Sequence, residues 1–138
     1  MARERTLAIV KPDAMRKNAL GPALAAAAEA GLSVVAVETL WLSKRQAEGF
    51  YAVHRERPFF DSLTDFMSSG PIAVMVLEGE DAIAVWRRIL GATDPAKAAP
   101  GTLRARFGTD IQANGFHGSD GPETAAFEIA YMFPGRAL

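Results

Sequence analysis

The stretch "QANGFHGSDG", residues 112–121, decides how the fold closes. Asn114-Gly115 is a turn signal and Gly118–Gly121 is a second one, so only Phe116 and His117 stand between two points where the backbone turns freely. A short strand over 115–118 adds a fourth strand to the sheet; a loop there leaves three. The same stretch holds one of the two histidines among 138 residues, set among polar neighbours rather than in a periodic apolar run.

Working outward, "TLAIV" (6–10) is a short apolar run ended by Lys11-Pro12, and a buried strand is expected there. In "GPALAAAAEAGL" (21–32) the alanines favour helix, Pro22 suits a first turn and Gly31 a C-terminal stop. "SVVAVETLWL" (33–42) is rich in β-branched residues and reads as a second strand. Ser43 and Gln46 form a capping-box pattern for a helix running to about His54. "RPFFDSLTDFMSSGP" predicts a further short helix ending at Gly70, "PIAVMVLEG" (71–79) a third strand, and "EDAIAVWRRILG" (80–91) a helix with a glycine stop. Regularity fades from Gly91 to about Phe116, apart from a turn or two of helix over Thr102–Phe107; so long an irregular segment is usually functional or mobile. "PETAAFEIAYMF" (122–133) closes the chain as a helix, with Asp120 and Glu123 spaced as its start signal. The order β-α-β-α-α-β-α-loop-(β)-α, without an internal repeat, fits an α/β (α+β) sandwich of the ferredoxin-like, split βαβ kind; periodicity alone also fits a small doubly wound sheet.

Length and composition set the outer bounds. The 138 residues are one domain's worth, so 1–138 is expected to form a single domain. Without cysteine there are no disulfides and no thiolate metal sites. "MARERTLAIVKPD" lacks the apolar region of a secretory signal, and no apolar run is long enough to span a bilayer. A soluble, cytoplasmic protein with no membrane partner is expected. A net charge of −1 argues against nucleic acid as the main partner. "WRRIL" and "TLRARF" still concentrate Arg87, Arg88, Arg104 and Arg106, which suits a phosphate-bearing ligand, although a solvated helix face is the commoner place for arginine.

The chemistry around His117 is suggestive in its own right. Neutral imidazole is a nucleophile at physiological pH and needs no separate base. The flanking glycines leave the ring approachable, and Glu128, about two turns into the final helix, is placed to reach back and orient it. Turn and cap signals of this kind occur in any protein, so spacing alone also fits an incidental surface histidine. Neither GxxxxGK[ST] nor GxGxxG occurs, so phosphate here would be handled by side chains from scattered segments.

Taken together, "NGFHGSD" (114–120), "ERTLAIVKPDA", "RPFFDSL", "SSGP" and "GATDPAKAAPGTLR" closely resemble the nucleoside diphosphate kinase family, in order, from Glu4 to about Phe133. The resemblance implies an antiparallel ferredoxin-like sheet covered by helices. It also implies γ-phosphoryl transfer from a nucleoside triphosphate to a nucleoside diphosphate by a ping-pong route. His117 matches the family nucleophile; Ser119 and Glu128 match residues that hold its ring, and Lys11 and Tyr51 match groups beside the transferring phosphate. Arg87, Thr93 and Arg104 match phosphate ligands, and Asn114 a sugar and phosphate-side contact. Phe59 matches the ring that stacks on the base, with Leu63 and Ile111 as apolar neighbours. Asp120 matches a residue near Mg2+, which the family holds mainly through nucleotide phosphates. A homo-oligomer built from dimers is implied as well.

Taken without the resemblance, Phe59 or Phe60 would be core, Tyr51 packing, Thr93 a loop residue and Lys11 a solvated strand end; His54, Arg88 and Arg106 keep such bland readings. The chain departs from the family pattern at Arg106, at "SDGPE", in the alanine-rich 23–30 segment and at its "FPGRAL" end, none of which touches a matched position. The alternative function is a catalytically silent nucleotide-binding regulatory module, against which the retained His117 and phosphate ligands argue.

Overall fold

The computed structural model describes residues 3–138. Strand β1 (Arg3–Val10) leads through helix α1 (Pro12–Arg16) and helix α2 (Leu20–Glu29) to β2 (Ser33–Leu40). Helices α3 (Lys44–Phe50) and α4 (Phe60–Met67), joined by a 3-10 turn at Ala52–His54, precede β3 (Ile72–Glu80). Helix α5 (Ala82–Leu90), a 3-10 turn at Pro95–Lys97 and α6 (Leu103–Phe107) lead to β4 (Phe116–Gly118), and α7 (Pro122–Met132) follows. The sheet order is β2-β3-β1-β4 with every neighbouring pair antiparallel. This is the ferredoxin-like arrangement, with α3 and α4 inserted between β2 and β3, and it excludes the doubly wound alternative, whose sheet is largely parallel. The fourth strand does form.

Strand alternation divides the core between two helical layers. Ala8, Val10, Ala73, Met75 and Leu77 face α2 and α5, packing with Ala23, Ala27, Trp86 and Leu90. Leu7, Ile9, Ile72, Val74 and Val76 face the other way, toward Ala47, Phe50, Met67 and Met132. The alanines of α2 therefore have a purpose beyond helix propensity. Ala23 and Ala27, four apart, are both fully buried and present only methyl groups to the sheet side.

Local signals account for most element ends. Ser43 accepts from Gln46 N at 3.1 Å while Gln46 Oε1 accepts from Ser43 N at 2.9 Å, the expected capping box. That helix stops at Phe50, earlier than expected, and only the 3-10 turn carries the chain on to His54. Helix α7 starts at Pro122 as expected, but its capping differs from expectation. The two amides leading into it are met by Thr124, whose Oγ1 accepts from Asp120 N at 3.1 Å and Gly121 N at 3.0 Å. Asp120 is thereby released for a partner elsewhere. At α5 the cap residue Asp81 is left-handed, and Glu4 from β1 reaches across to accept from Ile83 N at 3.0 Å.

Candidate active site

His117 is the central residue of β4, opposite Ile9 in the β1 ladder. Its backbone is held from a second direction by Trp86, whose Nε1 donates to His117 O at 3.1 Å. The fully buried indole of α5 lies so close beneath the strand that a Cβ at Gly118 would fall 2.7 Å from Trp86 Cδ1. Glycine here answers to a close approach of side chain to backbone.

The ring itself is oriented from behind. Glu128 Oε1 lies 2.8 Å from His117 Nε2, and Ser119 Oγ donates to the same oxygen at 2.8 Å while accepting from Leu7 N at 3.1 Å. A carboxylate only accepts, so this network assigns the ring hydrogen to Nε2 and a free lone pair to Nδ1, which has no hydrogen-bond partner among the described residues. Phe50 and Tyr51 meet the imidazole edge-on, with centroids 5.5 and 6.4 Å away.

Cations gather in front. Lys11, only 7% exposed, donates through Nζ to Asn114 Oδ1 at 2.9 Å, and Asn114 Nδ2 donates to Thr93 O at 3.0 Å. Lys11 N also donates to Gly115 O at 2.8 Å, so the Asn-Gly turn is fastened to the end of β1. Burial, reinforced by Arg104 and opposed by Asp13, lowers the Lys11 ammonium to about 8. The Asp13 carboxyl is raised by its own burial against the pull of Lys11. Arg104 is anchored by Nη1 to Gly91 O and by Nη2 to Phe116 O, both at 3.0 Å. Burial and then Arg87 lower its guanidinium to about 10, so it stays charged at neutral pH. Arg87 Nη1 donates to Asp120 Oδ1 at 2.8 Å, the partner that Asp120 takes instead of the helix start.

A cavity of about 430 Å³ opens onto these groups. Of the residues singled out from the sequence, Lys11, Tyr51, Arg87, Thr93, Arg104, Asn114, His117 and Asp120 line it, with Phe59, Leu63 and Ile111 supplying its apolar part. Ser119 and Glu128 stand behind the imidazole. Phe59 is 45% exposed and Ile111 63%, whereas Phe60 packs into the core, so the exposed ring of the pair faces the cavity. Tyr51 Oη and Arg104 Nε are buried without a partner, and both residues line the cavity. Buried polar atoms left unpaired are costly, and ligand oxygens in this space are the natural acceptors.

Sequence reasoning missed four lining residues, His54, Gln112 and the two neighbours of the histidine on β4, Phe116 and Gly118. His54 was read as bland, yet its ring lies between Tyr51, 6.4 Å away, and Phe59, 5.7 Å away. Its spacing of three from Tyr51 was the available signal. Gln112 carried no signal beyond adjacency to Ile111. The bland readings of Arg88 and Arg106 agree with their exposure.

An imidazole with one nitrogen oriented and the other free, facing three cations and an apolar slot, is arranged to accept a phosphoryl group from an aromatic-bearing anion. Residues 4–138 match the family model described as nucleoside diphosphate kinase. The chain belongs to the nucleoside diphosphate kinase family. Members move a phosphoryl group between nucleotides, and this chain is an enzyme of that kind. It is 61% identical over 135 residues to the nucleoside diphosphate kinase of Desulfovibrio desulfuricans, covering 98% of this chain and 97% of that one. It is 58% identical over 138 residues to that of Brucella canis, covering 100% and 99%. Among solved structures, the Aquifex aeolicus nucleoside diphosphate kinase superposes with a TM-score of 0.94 at 51% identity, covering 97% of each chain. A Halobacterium salinarum nucleoside diphosphate kinase solved in complex with CDP gives a TM-score of 0.91 at 38% identity, covering 96% of this chain and 89% of that one.

Proposed function

We propose that the chain transfers the γ-phosphoryl group of a nucleoside triphosphate to a nucleoside diphosphate by a ping-pong route through a phosphohistidine on His117. The observation that carries this reading is the one-sided engagement of the ring, with Nε2 tied to Glu128 and Nδ1 free. In the first half-reaction Nδ1 attacks the γ-phosphorus, the bond to the β,γ-bridging oxygen breaks, and the nucleoside diphosphate leaves with that oxygen. The positive charge gained by the ring is stabilised through Nε2–H donating to Glu128, itself steadied by Ser119. In the second half-reaction a terminal β-phosphate oxygen of another diphosphate attacks the phosphorus and the P–N bond breaks, restoring neutral imidazole.

Lys11, Arg87 and Arg104 stabilise the charge spread over the transferring oxygens, and Thr93 adds a donor. Tyr51 Oη and Arg104 Nε gain the partners they otherwise lack. Asn114 joins Lys11 to the sugar side. Phe59 stacks on the base with Leu63 and Ile111 around it, and a stacking face accepts any base. For Mg2+, a cluster of acids is absent among the described residues, and Asp120 is the one carboxylate lining the cavity. That suits an ion held chiefly by phosphates and water, with Asp120 nearby, which neutralises phosphate charge when bound.

The remaining assignments are of setting. No helix is long and apolar enough to cross a membrane among the described residues, and we assign the chain to the cytoplasm as a single domain. A homo-oligomer built from dimers is in keeping with edge strand β2, where Val34 and Val37 are exposed. The test mixes the protein with magnesium and γ-labelled ATP, omitting any acceptor, alongside His117→Ala. Acid-labile label on the wild type alone, discharged onto added GDP as GTP, is expected. Absence of label on folded wild-type protein refutes the ping-pong reading and favours the silent module.

A further inference from the structure

The apolar part of the cavity has two walls carried by separate segments. Phe59 and Leu63 belong to α4 and the residue preceding it; Ile111 and Gln112 belong to the loop between α6 and β4. The loop is shaped by its own polar turn, in which Asp110 Oδ1 accepts from Gln112 N at 3.0 Å and from Ala113 N at 2.8 Å. Lys17 ties its near end, donating to Phe107 O at 2.8 Å and Thr109 Oγ1 at 3.0 Å. None of these contacts sets its distance from α4.

One hydrogen bond does. Gln112 Nε2 donates to Ser62 Oγ at 2.9 Å, across fifty positions of sequence. Ser62 Oγ in turn donates to Phe59 O at 3.2 Å. A hydroxyl has one hydrogen to give and lone pairs to accept, so both bonds are satisfied together. The chain Gln112–Ser62–Phe59 thus joins the loop wall to the backbone of the stacking residue. Among the described residues it is the one hydrogen bond between this loop and α4. Ser62 itself does not line the cavity.

We infer that Ser62 is a positioning residue for the base slot, clasping the loop wall to α4 through Gln112 so that the slot stays narrow enough to grip the smaller, pyrimidine bases. The inference rests on the cavity being the nucleotide site proposed above. A purine spans more of an opened slot than a pyrimidine, so loosening the clasp harms pyrimidine nucleotides first. Ser62 lies on an exposed helical position, where alanine is a better helix former, so its removal leaves the fold intact.

The experiment measures steady-state KM and kcat for GDP and CDP, with ATP as donor, in wild type, Ser62→Ala, Gln112→Ala, the double variant and Ser62→Thr. Opening a solvent-facing hydrogen bond is expected to raise the KM for CDP about threefold in Ser62→Ala. The KM for GDP rises less, kcat moves by less than about twofold, and Ser62→Thr, which keeps the hydroxyl, behaves as wild type. Because Ser62 acts through Gln112, Ser62→Ala adds nothing in the Gln112→Ala background. An active wild type in which Ser62→Ala leaves the CDP-to-GDP ratio of KM unaltered overturns the clasp alone. So does an equal effect of Ser62→Ala with and without Gln112. A wild type that transfers no phosphoryl group overturns the site reading as well.

Discussion

Lys11 carries its charge against the preference of its surroundings, and that opposition is measurable as a dependence of stability on pH. In the folded protein the ammonium is lowered to about 8 from 10.5, first by burial and then by Arg104. Between those two values the unfolded chain binds more protons than the folded one. Stability therefore rises with pH across the window, the reverse of a lysine that gains an ion-pair partner on folding. One pKa unit corresponds to about 1.4 kcal/mol, and integrating the two titrations from pH 7 to pH 9.5 gives a gain of about 2 kcal/mol. The Tyr51 phenol, pushed upward by burial, keeps its proton throughout. Lys11→Met keeps much of the side-chain length and removes the titration. Urea unfolding of both proteins at pH 7, 8, 9 and 9.5, at one protein concentration and without nucleotide, isolates the effect as the difference between them. Wild type is expected to gain on the variant by about 2 kcal/mol over that range. A difference that stays flat, or that falls with pH, refutes the account of Lys11 as a strained buried cation.

Two further outcomes follow from the geometry around β4. Glu128→Gln exchanges a charged acceptor for a neutral amide; losing a charge-assisted bond of about 1.5–3 kcal/mol slows phosphoenzyme formation roughly 10- to 100-fold. Rapid-quench labelling with γ-labelled ATP reads that rate directly. Gly118→Ala forces a methyl group against Trp86, and overpacking of this kind costs about 1–3 kcal/mol. A lowered urea midpoint together with slower labelling is expected, since the displaced strand carries His117.

The topology was legible where chemistry repeats itself along the chain. The continuous apolar runs "TLAIV" and "IAVMVL", the Ser43–Gln46 box and the Gly91 stop each marked an element that the structure contains. Strand β4 is three residues long, below the length at which alternation carries information; the glycines around it, not its apolar content, made it conceivable. The capping of α7 was misread because Asp120 and Glu123 stand at the right spacing, while Thr124 sits where its hydroxyl reaches two amides. Electrostatics outside the helix decided the matter, since Arg87 claims the Asp120 carboxylate. His117, Lys11 and Arg104 were visible as residue types in a matched pattern. Gln112 and Ser62 were not, because what gives them significance is a contact between segments fifty residues apart. Burial behaves likewise: nothing in "VKPD" announces that Lys11 is withdrawn from water.

The bond from Trp86 to the carbonyl of His117 gives the molecule an optical reporter at its centre. Indole emission responds to hydrogen bonding at Nε1 and to charge nearby, and here the acceptor is the backbone of the residue proposed to gain and lose a phosphoryl group. The only other tryptophan, Trp41, is 63% exposed and lies at the end of edge strand β2, away from the cavity lining. Replacing Trp41 with phenylalanine therefore leaves a single buried fluorophore hydrogen-bonded to the backbone of the reacting residue. The indole whose packing demands glycine at 118 thus makes each proposed half-turnover a change of light.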